Sequence, residues 1–401
     1  MQPTTAPANR ALRVGLLGAG FLAATRARCW RRVHGVNVEL TAVAGKTAER
    51  AEQLASRYRI GRVCTSADDL LRSQDVDVVD LCVPNALHRP FAVAAAAAGK
   101  HVICTKPLCA YVGQDQPGAS EERIAGQDPA RMLAIAIEEA DAMIQAARAA
   151  GTGLLYAENW LHAPAFVKAT ELAVRARAPV LEMRGWEAHS GSHSPFSKRW
   201  GNAGGGALLR LGAHPIGAML HWKEAEGLRL LGHKTRCVAV SAEVADPTAH
   251  AALDAANTKV ATGWGAVESW GCAILHFDDG SRAVAYGSDL VLGGMQSRLE
   301  LNGANFAMQC NLSPQDQLRA FSSDPRGFGA AYLMEKLDTQ AGWSTPMPDE
   351  DVTSGHQGMI QSFAETLSRG GMFPVDELGK EVIAVIYSAY RSAREGRRIV
   401  L

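Results

Sequence analysis

The chain has 401 residues, with 41 Lys and Arg against 41 Asp and Glu, so its formal charge is zero. That balance leaves no electrostatic footprint for nucleic acid or an anionic membrane. At 47% hydrophobic and 20% charged residues it has an ordinary globular profile, long enough for two domains rather than one core.

Met1 to Arg10 is polar and Pro/Ala-rich and reads as a frayed tail without the apolar segment of a signal peptide. The longest apolar runs, such as Phe91 to Ala98, fall well short of a membrane span. The 8 cysteines (29, 64, 82, 104, 109, 237, 272 and 310) form no C-x-x-C pair, and several lie in apolar runs. They read as reduced thiols in a cytoplasmic protein.

The first element is the apolar run Leu12-Arg13-Val14-Gly15-Leu16-Leu17, which stops at Gly18-Ala19-Gly20 and restarts as a helix through Ala23. Gly18, Gly20 and Ala23 occupy the three positions of a G-x-G-x-x-G/A turn. The first glycine permits the tight turn, the second lets backbone approach a pyrophosphate, and the third small residue lets helix pack on strand. The following helix aims its N-terminal amides at that phosphate.

Strands are then expected at 38–44, 62–64, 76–83 and 101–104, with helices at 47–58 (Thr47 as N-cap), 68–73 and 91–98. This β-α alternation predicts a parallel sheet with helices on both faces. Asp115 to Asp128 breaks the rhythm and reads as an exposed insertion before a helix over 129–150. After a strand at 153–157 the composition changes. Longer strands fall at 180–187, 236–244, 269–277, 281–288 and 297–301, and Asp278-Asp279-Gly280 marks a hairpin. Helices fall at 164–176, within 204–221, at 357–368 and at 378–395. The expected organisation is a dinucleotide-binding domain over 1–155 and an α+β domain over 156–401 with a mainly antiparallel open sheet, whose outer face could serve a homo-oligomer.

Strand two ends Val43-Ala44-Gly45-Lys46, without the carboxylate that normally grips the ribose 2′-hydroxyl of NAD. Lys46, with Arg50 a turn later, offers positive charge for a 2′-phosphate instead, which favours NADP over NAD.

Cys104-Thr105-Lys106-Pro107, the turn above, Val83-Pro84-Asn85-Ala86-Leu87-His88, the segment from Gly204 to His214 and the helix from Tyr387 to Gly396 together resemble the glucose–fructose oxidoreductase / inositol dehydrogenase / MocA (Gfo/Idh/MocA) family. The likeness runs from residue 12 to the end. It implies a Rossmann domain, a nicotinamide cofactor held by Gly18, Gly20, Phe21, Leu22, Lys46, Pro84, Asn85, His88, Thr105 and Lys106, and a sugar, cyclitol or related polyol substrate. Two departures stand out. The family's Glu before the lysine is Thr105, and its Asp four residues before the histidine is Arg210.

Lys106 follows a strand and precedes a proline, a candidate cis bond, at the edge where open α/β sheets bind ligands. It is the expected group to orient and polarise a substrate oxygen. His214 is the expected general base, since its proton affinity lies near neutrality. Arg210 is expected to orient substrate, with a structural ion pair as the competing reading. Glu158, Asn159, His162, Glu187 and His189 are expected substrate contacts, with His193 nearby in the same His-rich loop. No spacing is diagnostic of a metal. Net hydride transfer at a secondary hydroxyl is the expected activity, with redox-neutral lyase or glycosidase chemistry through transient oxidation as the alternative.

Overall fold

The computed structural model describes residues 10–192, 194–254, 256–337 and 339–401, so the Met1 tail and His193 lie outside the described residues. Six strands form the first sheet: β1 (Leu12–Leu17), β2 (Val38–Ala44), β3 (Arg62–Val63), β4 (Val78–Leu81), β5 (His101–Thr105) and β6 (Leu154–Ala157). All pair in parallel in the order β3-β2-β1-β4-β5-β6. Their connections are α1 (Phe21–Arg31), α2 (Ala48–Tyr58), α3 (Ala67–Arg72), α4 (His88–Ala97), and then α5 (Glu121–Ala125) with α6 (Pro129–Ala150). Val78, Val79, Asp80 and Leu81 are all buried, as expected of a strand covered on both faces. This is the doubly wound Rossmann arrangement, and ligands bind it outside the carboxyl ends of the strands.

The stretch expected to be an exposed insertion is instead partly packed. Ser120 caps α5, Ile124 is buried, and the Gly201 N–H donates to Glu121 Oε2 at 2.9 Å. Its polar composition hides one anchoring isoleucine and an acid that satisfies a backbone amide.

Next come α7 (Pro164–Ala176), β7 (Val180–Ala188), α8 (Trp200–Ala203), α9 (Ala207–Arg210) and α10 (Ala213–Leu230). β8 (Cys237–Ala245), β9 (Trp270–Phe277), β10 (Arg282–Ser288), β11 (Gln296–Gly303) and β12 (Ala307–Asn311) follow. With β7 and a final β15 (Ile399–Val400) they build a seven-stranded sheet, ordered β12-β11-β7-β10-β9-β8-β15. Only the β10–β7 pairing is parallel, and Asp278-Asp279-Gly280 is the hairpin between β9 and β10. A small ribbon, β13 (Ala320–Ser322) and β14 (Gly342–Ser344), had no signal in the sequence. The last helices are α11 (Glu350–Thr353), α12 (His356–Ser368) and α13 (Leu378–Glu395).

Alternation along β9 explains how this sheet is covered. Ala273, Leu275 and Phe277 point into the core on the face where α9 packs on β9, while Ile274 faces out. Helix α12 returns to the first sheet, where Met359, Ile360, Phe363 and Leu367 pack with Leu12, Val14, Ala27 and Trp30. Arg26 of α1, fully buried, lies 3.9 Å from Asp80 of β4 and donates to Met359 Sδ at 3.7 Å, so the same corner is also held electrostatically. All cysteines are free thiols. Among the described residues no helix is long and apolar enough to cross a membrane.

Candidate active site

The turn after β1 is built as its residues dictate. Gly18 has φ +115°, and a Cβ there would sit 2.2 Å from the carbonyl oxygen of Cys82, so β1 and β4 leave room only for glycine. A Cβ at Gly20 would meet nothing within 4 Å, which leaves that backbone open to an approaching group. Gly20 caps α1 with no side-chain acceptor, and the first turn holds no acid, so the helix presents free amides and its positive pole. These features fit a dinucleotide pyrophosphate.

From this turn a cavity of about 520 Å³ runs across the carboxyl edge of the first sheet to the second. Gly20, Phe21, Leu22, Pro84, Asn85, Thr105 and Lys106 line one part, and Asn159, Glu187, His189, Arg210 and His214 the other. Asn85 is fixed by donating to the Ala203 carbonyl at 2.7 Å, and the Lys106–Pro107 bond is cis.

Not every expected residue reaches the cavity. His88 is fully buried, with Nδ1 2.9 Å from the Pro107 carbonyl and Nε2 3.1 Å from that of Val83. It clamps two loops together behind the site, and burial pushes its proton affinity down. Lys46 is exposed outside the cavity lining, with Nζ 5.7 Å from the Phe196 ring, itself a lining residue. His162 turns onto α12, its ring edge-on to Phe363 at 5.8 Å, so it is not positioned to touch substrate.

Arg210 makes the structural ion pair and also lines the cavity. Its guanidinium pairs with the buried Asp289 and stacks over Trp264 at 4.9 Å, while its backbone carbonyl accepts from Lys106 Nζ. Arg210 thus anchors Lys106 through its backbone, while its Nε has no hydrogen-bond partner among the described residues and the side chain lines the cavity. Arg210 and His214 also fail to share a helix face, because α9 ends at Arg210 and α10 begins at Ala213. The partner Asp289, just past β10, carried no signal in the sequence.

His214 is the centre of a buried polar group. Its Nδ1 lies 2.6 Å from Glu158 Oε1 and its Nε2 3.7 Å from Glu187 Oε1, with the ring stacked on Trp160 at 5.8 Å. The Glu158 side chain is 0% exposed, so it sits behind the imidazole instead of contacting substrate. Glu187 does line the cavity, held by Trp160 Nε1 at 3.2 Å and Ser297 Oγ at 3.4 Å. Burial pushes His214 down to about 3, so the ring is neutral across the physiological range. Burial also raises Glu158 and Glu187 above the usual carboxylate range and lowers Lys106, against the opposing pull of these neighbouring charges. Such displaced proton affinities in a cleft make these groups candidates for proton handling.

Sequence reasoning missed a third wall. Tyr332, Glu335, Lys336, Met347 and His356 line the cavity from the segment around the small ribbon and the start of α12. Tyr332 donates to Glu350 at 2.6 Å, and Arg28 of α1 binds Asp351 at 2.8 Å, tying that segment to the nucleotide fold. Among the described residues no cluster of His, Cys, Asp and Glu is arranged to hold a metal.

A glycine turn at the switch point of a parallel sheet, opening on a cavity shared with a second open sheet, defines a Rossmann dinucleotide-binding fold with an added α+β domain. Residues 12–117 match the family described as "Oxidoreductase family, NAD-binding Rossmann fold" (GFO_IDH_MocA). The chain is similar to GenD2 from gentamicin A biosynthesis, solved in complex with NAD, with TM-score 0.77 and 25% identity over 100% of this chain and 99% of that one. It is 32% identical to dTDP-3,4-didehydro-2,6-dideoxy-alpha-D-glucose 3-reductase of Streptomyces violaceoruber, over 52% of this chain and 53% of the relative. It is 41% identical to inositol 2-dehydrogenase 4 of Saccharopolyspora erythraea, over 25% of this chain and 29% of the relative. The chain thus spans between about a quarter and a half of the curated relatives it matches. Its likeness to the Gfo/Idh/MocA oxidoreductases is carried by the nucleotide-binding residues 12–117 and by these partial matches.

Proposed function

We propose that this protein transfers a hydride between a nicotinamide dinucleotide and a secondary hydroxyl or ketone of a sugar, cyclitol or related polyol. The observation that carries the proposal is the single cavity joining the Gly20 turn to Lys106 and His214. When bound, the cofactor supplies the hydride chemistry, and the protein supplies position and proton traffic. Gly18, Gly20, Phe21, Leu22, Pro84, Asn85 and Thr105 would hold it. Lys106 Nζ, fixed by the Arg210 carbonyl, polarises the substrate oxygen, and the neutral ring of His214 exchanges the hydroxyl proton. Asn159, Glu187 and His189 bracket the remaining hydroxyls.

Lys46 and the missing carboxylate at the end of β2 favour acceptance of NADP, whereas GenD2 is a complex with NAD. Titrating wild type and Lys46→Glu with both cofactors tests this, and loss of NADP affinity alone is the expected result. The relatives named above are dehydrogenases and reductases, which favours net hydride transfer over redox-neutral elimination. A cytoplasmic location fits the free thiols. A homo-oligomer through the outer face of the second sheet, where Ile274 and Leu181 are exposed, is the proposed assembly, to be read by sedimentation. The decisive screen follows reduced-nicotinamide absorbance with NAD and NADP across a polyol and sugar panel. No turnover with any member, with cofactor bound, would overturn the reading.

A further inference from the structure

The carboxylate that the family places four residues before the histidine is absent here, because position 210 is an arginine already engaged by Asp289. A carboxylate nevertheless reaches the same imidazole from another element. Glu158 stands at the end of β6, in the first sheet, and its Oε1 meets Nδ1 of His214, near the start of α10, at 2.6 Å. The side chain is held from its own backbone side by the Trp160 N–H at 3.1 Å, while Oε2 has no hydrogen-bond partner among the described residues. Trp160 lies nearly parallel to the His214 ring, at 9° between planes with the centroids 5.8 Å apart.

We propose that Glu158 and His214 form one proton-relay pair, in which Glu158 is the positioning residue and final proton acceptor behind the base. The inference rests on the hydride-transfer reading above. In the oxidising direction the substrate O–H bond breaks and an N–H bond forms at Nε2. The proton on Nδ1 passes to Glu158 Oε1, and the carbon-bound hydrogen leaves as hydride to the nicotinamide dinucleotide. Reduction runs the same transfers backwards. The imidazole stays neutral throughout, which matters because burial makes a charged ring costly there. The relay runs through the ionised carboxylate, and because burial raises Glu158 to about 8, that form gains as pH rises through this value. The 3.7 Å gap between Nε2 and Glu187 exceeds a hydrogen bond, so Nε2 is free to face the cavity. The other titratable groups around the pair are Lys106 after β5, Arg26 on α1, Tyr156 on β6, Glu187 on β7 and His356 at the start of α12.

The test uses the full-length protein with NAD and Glu158→Gln and Glu158→Asp variants. The glutamine keeps the volume and a hydrogen-bonding oxygen but cannot accept the proton. Its kcat is expected to fall on the order of 100-fold with KM and NAD affinity within about twofold. The aspartate, which restores an acid one methylene further away, is expected to recover at least about tenfold of that loss. A readout independent of turnover is ring ¹⁵N NMR of His214. Its Nδ1 signal is expected to follow the titration of Glu158 in wild type and to lose that step in Glu158→Gln. A glutamine variant with kcat within twofold of wild type, an aspartate no better than glutamine, or an unchanged Nδ1 titration would each overturn the relay. If wild type turns over no polyol, the NMR arm still decides the pairing while the hydride reading fails separately. If the glutamine variant does not fold, the aspartate variant is read by the same two measurements.

Discussion

Gly18 and Gly20 lie two residues apart, yet alanine should affect them in opposite ways. At Gly18 the new Cβ lands 2.2 Å from the Cys82 carbonyl oxygen and 2.8 Å from its carbon, on backbone at φ +115°. Neither neighbour is a flexible side-chain end. Relief requires parting β1 from β4, where the Cys82 N–H donates to the Leu17 carbonyl at 2.7 Å. A residue forced into such a conformation costs about 1–3 kcal/mol before the clash is counted. Gly18→Ala should therefore lose roughly 3 kcal/mol or more and melt several degrees lower. At Gly20 φ is −97°, and nothing lies within 4 Å of the added Cβ. Gly20→Ala should keep stability within about 0.5 kcal/mol. The methyl group would instead occupy the backbone approach to the pyrophosphate and raise the NAD Kd at least about tenfold, or about 1.4 kcal/mol. Thermal melts and NAD titration by tryptophan fluorescence measure both effects. A Gly20→Ala protein that binds NAD like wild type, or a Gly18→Ala protein that melts like wild type, would refute the assignment of separate tasks.

Arg210→Met leaves Asp289, whose side chain is 0% exposed, without its cation, and should cost about 3–5 kcal/mol in urea unfolding. Adding Asp289→Asn should recover more than half of that loss, and a double variant no better than the single would contradict the ion-pair assignment. Burial, with smaller contributions from His221 and Arg26, pushes His162 down to about 4, from an unfolded value near 6.5. Between those values the unfolded chain binds the extra proton, so the stabilisation is present above about pH 6.5 and is lost as pH falls toward about 4. The shift is equivalent to roughly 3 kcal/mol. Urea midpoints at about pH 7 and about pH 4 should differ less in His162→Gln than in wild type, and equal slopes would count against it.

The nucleotide half was legible because its signals are local. A glycine turn, β-α alternation and a lysine before proline each carry their chemistry within a few residues. Lys106, His214, Asn159, Glu187 and His189 all line the cavity. Pairings across the fold were not legible. Glu158 and His214 are 56 residues apart, and neither β6 nor α10 announces which side chain the other will meet. Nor could the sequence say that His88 would be enclosed by the carbonyls of Val83 and Pro107 when two loops closed on it. Arg210 shows the same difficulty, since its partner Asp289 is 79 residues on. Helix α12 was expected as a helix, but nothing in its amphipathic pattern said that it would pack on the first sheet. The segment bearing Tyr332, Glu335 and Lys336 has neither strand nor helix periodicity, and only the cavity reveals its part in the site.

The central claim is that Lys106 and His214 handle a hydroxyl proton while a carbon-bound hydrogen leaves as hydride. Its most direct test uses a polyol found in the screen, deuterated at the reacting carbon, with wild type, Lys106→Met and His214→Asn. Deuterium should appear on the nicotinamide in wild type, and both variants should bind NAD normally but turn over at least about 100-fold more slowly. Deuterium lost to solvent in wild type, or near-normal rates in both variants, would contradict the account.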